Sequence, residues 1–136
     1  MARAIADKDA ARLRQLFTTP VTFRAVTPGR FWDADTAVAV VDDLVMGTWF
    51  GPGTAITELT GLESDTVGDV EKVSYRMSLE LGSGPAVVEQ VAYYTAVDGC
   101  ITDMRLVCSG FRPVGVVSAT GKSVGAPPSK AVPAGT

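Results

Sequence analysis

The chain of 136 residues is 46% hydrophobic and 20% charged, which fits one globular domain with its own core and excludes a disordered or fibrous protein. Its formal net charge is −3 and its lysines and arginines are scattered, so it is not expected to bind nucleic acid or an anionic membrane, because both need concentrated positive charge. The apolar runs are too short to span a bilayer, and residues 1–17 lack the apolar centre of a signal peptide. A cytoplasmic protein is therefore expected.

The first part of the chain predicts two helices with a pair of strands between them. Residues 3–17 are predicted to be helical because apolar residues recur at helical spacing. Residues 20–32 predict a strand, a Pro-Gly turn and a short strand. A second helix is predicted over residues 36–50, and its apolar stripe consists of Val38, Val41, Val45 and Trp49.

From Thr54 onward the hydrophobic pattern has a period of two, which is typical of strands. Four strands are predicted, at about residues 55–65, 71–81, 86–97 and 100–112. Helices followed by a meander of long antiparallel strands predict an α+β domain with helices on one face of a curved sheet. This domain is expected to occupy residues 1–114, and the Gly/Pro/Ser-rich residues 115–136 are expected to form a mobile tail.

Histidine is absent from the chain, which removes the commonest general base and the commonest metal ligand. Two cysteines alone do not make a zinc site. If Cys100 and Cys108 lie on one strand they are about 26 Å apart, far more than the ~7 Å that a disulfide allows between Cα atoms. Free thiols, no metal and no cofactor are therefore expected.

The order of these elements, centred on the segment YRMSLELGSGPAVVEQVAYYTAVDGCITDMRLVCSGF, resembles the nuclear transport factor 2-like superfamily. This superfamily includes the ketosteroid isomerases and the SnoaL-like polyketide cyclases. The resemblance covers residues 3–114, and its most specific element is the turn Asp98-Gly99 followed by Ile101, Met104 and Arg105. It implies a cone, in which a strongly curved antiparallel sheet wraps around N-terminal helices and an apolar pocket lies at the open end. It also implies a homodimer through the outer face of the sheet.

The resemblance does not extend to the catalytic residues of the ketosteroid isomerases. Arg24 and Ala25 stand where the general-base aspartate would lie, and Val91 stands where the oxyanion-binding aspartate would lie. Met1 is almost at the position of the donor tyrosine. Isomerisation by the mechanism of that family is therefore not expected.

Glu89 is the first candidate for proton transfer. The register implied by the resemblance places Glu89 on the pocket side with two valines beside it, and a partly desolvated carboxylate suits a general acid or base. The alternative is that Glu89 pairs with an arginine or lies in water at the rim. Tyr75 and Tyr93 are predicted to hold a substrate oxygen, with ordinary core packing as the alternative. The predicted substrate-binding wall consists of Met77, Val87, Val91, Met104, Leu106, Cys108, Trp32 and Trp49.

The leading functional hypothesis is a cofactor-independent enzyme of the SnoaL-like kind. It would catalyse proton transfer, isomerisation or cyclisation of an apolar, oxygenated molecule, polyketide-like or steroid-like. The alternative is a non-catalytic ligand-binding or assembly module on the same fold, because one fold carries many functions. A homodimer is also expected, with Val88 and Tyr94 predicted on the outer face beside Arg76 and Arg105.

Overall fold

The computed structural model of the protein describes residues 1–114, so the predicted tail at residues 115–136 lies outside the described residues. Two short helices come first, α1 at Ala2–Ala6 and α2 at Ala10–Arg14. A π-helix spans Ala39–Trp49. The strands are β1 (Phe17–Thr27), β2 (Arg30–Ala34), β3 (Ala55–Val67), β4 (Val70–Leu81), β5 (Gly84–Val97), β6 (Cys100–Cys108) and β7 (Arg112–Pro113).

The strands form one curved, unclosed sheet in the order β2-β1-β6-β5-β4-β3, and β7 pairs with β5. All neighbouring pairs are antiparallel except β1 and β6, which run parallel. The turn predicted at Asp98-Gly99 is present, and both residues have positive φ angles, 53° and 83°, as the tight turn between β5 and β6 requires. The predicted α+β class, with a curved sheet around N-terminal helices, is confirmed.

The predicted first helix is divided into α1 and α2 at Lys8, whose φ is 53°. Asp9 begins the second of them by accepting a hydrogen bond from the Arg12 backbone N–H at 3.1 Å. The Lys8 ammonium donates hydrogen bonds to the carbonyl oxygens of Gly51 and Thr54. The break in the helix therefore places the Lys8 ammonium against the segment that precedes β3, and its hydrogen bonds connect α1 and α2 to that segment.

The second predicted helix is present, but its backbone is a π-helix. The Phe50 N–H donates to the Val45 carbonyl at 2.7 Å, an i to i−5 bond. A Cβ atom on Gly47 would lie 2.4 Å from the Asp42 carbonyl oxygen, so the chain needs glycine at this position. The predicted stripe begins later than expected, because Val38 is the N-terminal cap and is 55% exposed. The buried residues of the π-helix are Val40, Val41, Val45 and Trp49.

The prediction for the faces of β5 is wrong. Antiparallel pairing places Gln90 opposite Cys108 and Ala92 opposite Leu106, and directly opposite residues share a face of a sheet. Because β6 turns its apolar residues inward, the even-numbered residues of β5 also point inward. Four predicted site residues therefore lie on the outer face: Val87, Glu89, Val91 and Tyr93. Val88 and Tyr94, predicted on the outer face, lie on the inner one.

No helix within residues 1–114 has the length and apolar character needed to cross a membrane.

Candidate functional site

A buried polar pair lies in the middle of the inner face of the sheet. Tyr75 on β4 and Gln90 on β5 are directly opposite each other, and each is only 1% exposed. The Tyr75 hydroxyl donates a hydrogen bond of 2.6 Å to Gln90 Oε1. Gln90 is the buried polar residue of a core that is otherwise apolar over residues 1–114. A glutamine there costs stability unless its amide groups are satisfied.

The pair is only half satisfied. Gln90 Nε2 is buried and has no hydrogen-bond partner among the described residues. Trp49 Nε1, at the end of the π-helix, is also buried without a hydrogen-bond partner among the described residues. A buried donor without a partner costs about 1–3 kcal/mol, so such groups are uncommon in native structures and call for an explanation. Both groups are N–H donors, so an acceptor oxygen from another molecule would satisfy either of them.

Tyr75 is held as a neutral phenol. Burial raises the pKa of Tyr75 far above its usual range, and the nearby Cys108 raises the pKa further. A phenol that keeps its proton acts as a hydrogen-bond donor and not as a base. The inner face therefore presents neutral donors.

An aromatic cluster adjoins this face. The Trp49 ring packs edge-on against Trp32, with ring centroids 5.9 Å apart, and lies 6.3 Å from the Phe23 ring. Trp32 is half-buried, its indole N–H donates to Thr27 Oγ1 at 2.8 Å, and the Arg30 guanidinium covers its ring at 3.6 Å. The indole N–H of Trp32 is thus satisfied, in contrast to that of Trp49.

A cavity of 490 Å³ opens beside α1 on the same side of the sheet. Val73, Tyr94 and Ile101 line it from the strands, and Leu16 lines it from the segment before β1. Val73 is two residues from Tyr75 on β4, so the two side chains share the inner face. A volume of this size is within the range of small-molecule sites, about 300–1,000 Å³.

Seven of the eleven predicted site residues lie together in the interior. Tyr75, Met77, Met104, Leu106, Cys108 and Trp49 are all buried in one core cluster, and Trp32 packs against it. Glu89 is not part of this interior: its side chain is 51% exposed, and its carboxylate lies 3.4 Å from the Arg76 guanidinium. No carboxylate is buried in the part of the chain that the structure describes. No group of acidic or cysteine side chains there has a metal-binding arrangement.

Gln90 was missed by sequence analysis. The segment AVVEQVAYYTAV carries apolar residues at both even and odd positions, so its periodicity alone does not decide which face is buried. The pairing with β6 does decide it, because Met104, Leu106 and Cys108 form an unambiguous apolar face. Aligning the hairpin about the Asp98-Gly99 turn would not have found Gln90, because that alignment pairs Gln90 with the outward-facing Val107. A register shift between Thr95 and Ala96 pairs Gln90 with Cys108 instead.

The exposed position of Glu89 predicts that replacing its side chain has little effect on the stability of the protein. Because the Glu89–Arg76 pair is exposed, Glu89→Gln is expected to change the free energy of unfolding by less than about 1 kcal/mol. Urea denaturation of the wild type and the variant measures this difference. A loss of several kcal/mol would show that Glu89 belongs to a buried network.

The sequence matches no protein-family model and no curated protein. Solved structures do resemble the chain. A protein with a ketosteroid isomerase-like fold from Catenulispora acidiphila, in complex with trimethylamine, aligns with a TM-score of 0.62 and 14% identity over 79% of this chain and 81% of its own.

Two other solved structures give similar values. A nuclear transport factor 2-like protein of unknown function from Mesorhizobium loti aligns with a TM-score of 0.56 and 20% identity, over 80% of this chain and 84% of its own. An LEH-like epoxide hydrolase from M. tuberculosis aligns with a TM-score of 0.59 and 12% identity, over 79% of this chain and 76% of its own. The chain therefore has the nuclear transport factor 2-like fold of the ketosteroid isomerase-like proteins, as its sequence resemblance indicated.

Proposed function

We propose that the protein binds a small apolar molecule that carries an acceptor oxygen, on the inner face of its sheet. The observation that carries this proposal is the Gln90 Nε2 group, which is buried without a partner among residues 1–114. A ligand with a carbonyl, ether or hydroxyl oxygen would accept its hydrogen bond. The apolar body of the ligand would occupy the cavity beside α1, between Val73, Tyr94 and Ile101.

The residues of the interior favour binding over proton transfer. A general base must take up a proton, and Tyr75 keeps its own because its pKa is raised. Glu89, predicted as the base, lies on the outer face and pairs with Arg76. The interior of the described chain thus supports the non-catalytic alternative better than the SnoaL-like enzyme.

Catalysis without a protein base is the second candidate. A neutral phenol and an amide N–H beside one ligand oxygen would stabilise negative charge that develops on that oxygen. The specific observation in its favour is that the Tyr75 hydroxyl lies 2.6 Å from Gln90 Oε1 in an interior where no charged side chain is buried among the described residues. Turnover of a bound ketone, followed by chromatography, would distinguish this candidate from binding alone.

The binding proposal is tested with a pair of ligands that differ only in the acceptor. The fluorescence of Trp32 and Trp49 is titrated with an aryl methyl ketone and with the matched alkyl arene, in which a CH₂ replaces the carbonyl. The ketone is expected to bind about 10-fold more tightly, because one hydrogen bond to a donor otherwise unpaired is worth about 1.5 kcal/mol. Equal affinity for both ligands, or no binding of either across a panel of ring sizes, would contradict the proposal.

Variants of the protein test whether the preference for the ketone depends on Tyr75 and Gln90. In the double variant Tyr75→Phe/Gln90→Met both polar groups are removed, so the preference for the ketone is expected to disappear while the arene still binds. Glu89→Gln is the matched control, because position 89 is adjacent to Gln90 in the chain but points to the opposite face. This control is expected to keep the preference of the wild type.

We also propose that the chain forms a homodimer. The residues first assigned to its interface, Val88 and Tyr94, lie on the inner face, so they do not support it. Support comes from other apolar residues on the outer face, where Val26, Phe31 and Val107 are 40%, 82% and 56% exposed.

A further inference from the structure

The two tryptophans of the chain differ in the state of their indole N–H groups. Trp32 is half-buried, and its N–H donates a hydrogen bond of 2.8 Å to Thr27 Oγ1. Trp49 is only 8% exposed, and its Nε1 atom is buried without a hydrogen-bond partner among the described residues. A buried tryptophan usually finds an acceptor for its N–H, because an unpaired buried donor is destabilising. The Trp49 N–H therefore needs an acceptor that residues 1–114 do not supply.

Trp49 and Gln90, the two side chains with unpartnered donors, lie on opposite sides of β6. The Trp49 ring packs on Phe23 of β1 and on Trp32 of β2, at centroid distances of 6.3 and 5.9 Å. In the sheet, β6 follows β1, and β5 follows β6. Gln90 points inward from β5, so the inner face of β6 lies between the two donors. Two strand spacings, about 10 Å, separate β5 from β1, which is a distance that one small molecule can span.

The inner face of β6 determines what kind of molecule fits between the donors. Met104, Leu106 and Cys108 make this face apolar, and the cavity beside α1 reaches the same strand at Ile101. No charged side chain is buried among residues 1–114. A carboxylate or phosphate in this interior would therefore be a buried charge without a partner, which is strongly unfavourable. A neutral ligand with an apolar body is compatible with these surroundings.

We infer that the Trp49 indole N–H is a second hydrogen-bond donor to the ligand of the inner face. The ligand is then a neutral molecule with two acceptor oxygens about 10 Å apart on an apolar body, one for Gln90 and one for Trp49. The inference rests on the proposed binding at Gln90 and adds a second contact to it. Trp49 is positioned by the last turn of the π-helix, and π-helical turns are frequent at functional sites.

Two ligands with one skeleton test the second contact. The first is a biphenyl with an acetyl group at each end, and in the second a CH₂ replaces one of the two carbonyl groups. Isothermal titration calorimetry on the full chain is expected to show that the diketone binds about 10-fold more tightly than the monoketone, because it pairs one more donor.

Two variants assign this difference to Trp49. Trp49→Phe keeps an aromatic ring and removes the N–H, so the two ligands are expected to bind to it with equal affinity. Trp32→Phe is the matched control, because Trp32 belongs to the same aromatic cluster but its N–H already donates to Thr27. This control is expected to keep the preference for the diketone. A preference that persists in Trp49→Phe would overturn the inference, because the second carbonyl would then be bound elsewhere.

The indole signals in ¹H–¹⁵N spectra provide a readout that does not depend on the folding of Trp49→Phe. The spectrum of Trp32→Phe identifies the remaining indole signal as that of Trp49. In the wild type, the diketone is expected to move the Trp49 N–H signal downfield, as a new hydrogen bond does, and to leave the Trp32 signal nearly unchanged.

The inference and the proposed function fail in different ways. Equal affinities of the diketone and the monoketone for the wild type, with the Trp49 signal unmoved, would overturn the inference alone. The proposed function would then stand, because the preference for the aryl methyl ketone over the alkyl arene depends on Tyr75 and Gln90. Absence of that preference would overturn the proposed function and the inference with it.

Discussion

Gly47→Ala is expected to lower the free energy of unfolding by about 1–3 kcal/mol or more, because the added methyl group would lie 2.4 Å from the Asp42 carbonyl oxygen. The atom it meets is backbone, so the clash is relieved only by moving the helix. In an ordinary α-helix the same change is stabilising by roughly 0.5–1 kcal/mol. A loss of stability would therefore indicate a π-helical backbone at Gly47, and a gain would indicate an α-helical one.

Thermal and urea denaturation measure this prediction, with Gly53→Ala as the control. Gly53 follows the π-helix, and a Cβ atom there has no neighbour within 4 Å. The control is expected to be close to the wild type in stability. A stabilised Gly47→Ala protein would mean that residues 39–49 form a regular α-helix in solution. Because the π-helix carries Trp49, the Gly47 variant is also expected to bind the ketone less tightly.

Tyr75→Phe and Gln90→Met are each expected to destabilise the protein by about 1–3 kcal/mol, because each leaves the other member of a buried hydrogen bond without a partner. The double variant is expected to cost no more than either single change, since it removes both polar groups together. Its apolar replacements also remove the unpartnered Gln90 amide. Urea denaturation of the four proteins in a double-mutant cycle measures the coupling. Additive losses would contradict the hydrogen bond.

The dependence of stability on alkaline pH provides a second test of the role of Tyr75. Because burial raises the pKa of Tyr75 in the folded state, the folded protein keeps this proton while the unfolded chain releases it above pH about 10. The contribution of Tyr75 to the free energy of unfolding is therefore complete below pH about 10. Above that pH it declines by about 1.4 kcal/mol per pH unit. Tyr75→Phe lacks this decline, so its deficit relative to the wild type is expected to shrink between pH 9 and about 11. A constant deficit would show that Tyr75 ionises normally in the folded protein.

Local patterns were sufficient for most of the elements. The Asp98-Gly99 turn and the alternation of β6 from Asp103 onward are signals that act within a few residues, and both were placed correctly. The inward side of Met104, Leu106 and Cys108 followed from the same alternation. The break at Lys8 was not predictable from local patterns, because the carbonyl oxygens that accept hydrogen bonds from its ammonium are more than 40 residues away.

The sequence by itself therefore determined the fold class, the strand sequence and one face of the interior, since turn chemistry and period-two alternation act over a few residues. The tertiary structure decided the candidate site. On β5 both faces are apolar enough to be buried, so only the pairing with β4 and β6 puts Gln90 inside and Glu89 outside. A shift of one residue in register reverses every side chain of a strand, and that single choice separates a buried amide donor from an exposed carboxylate.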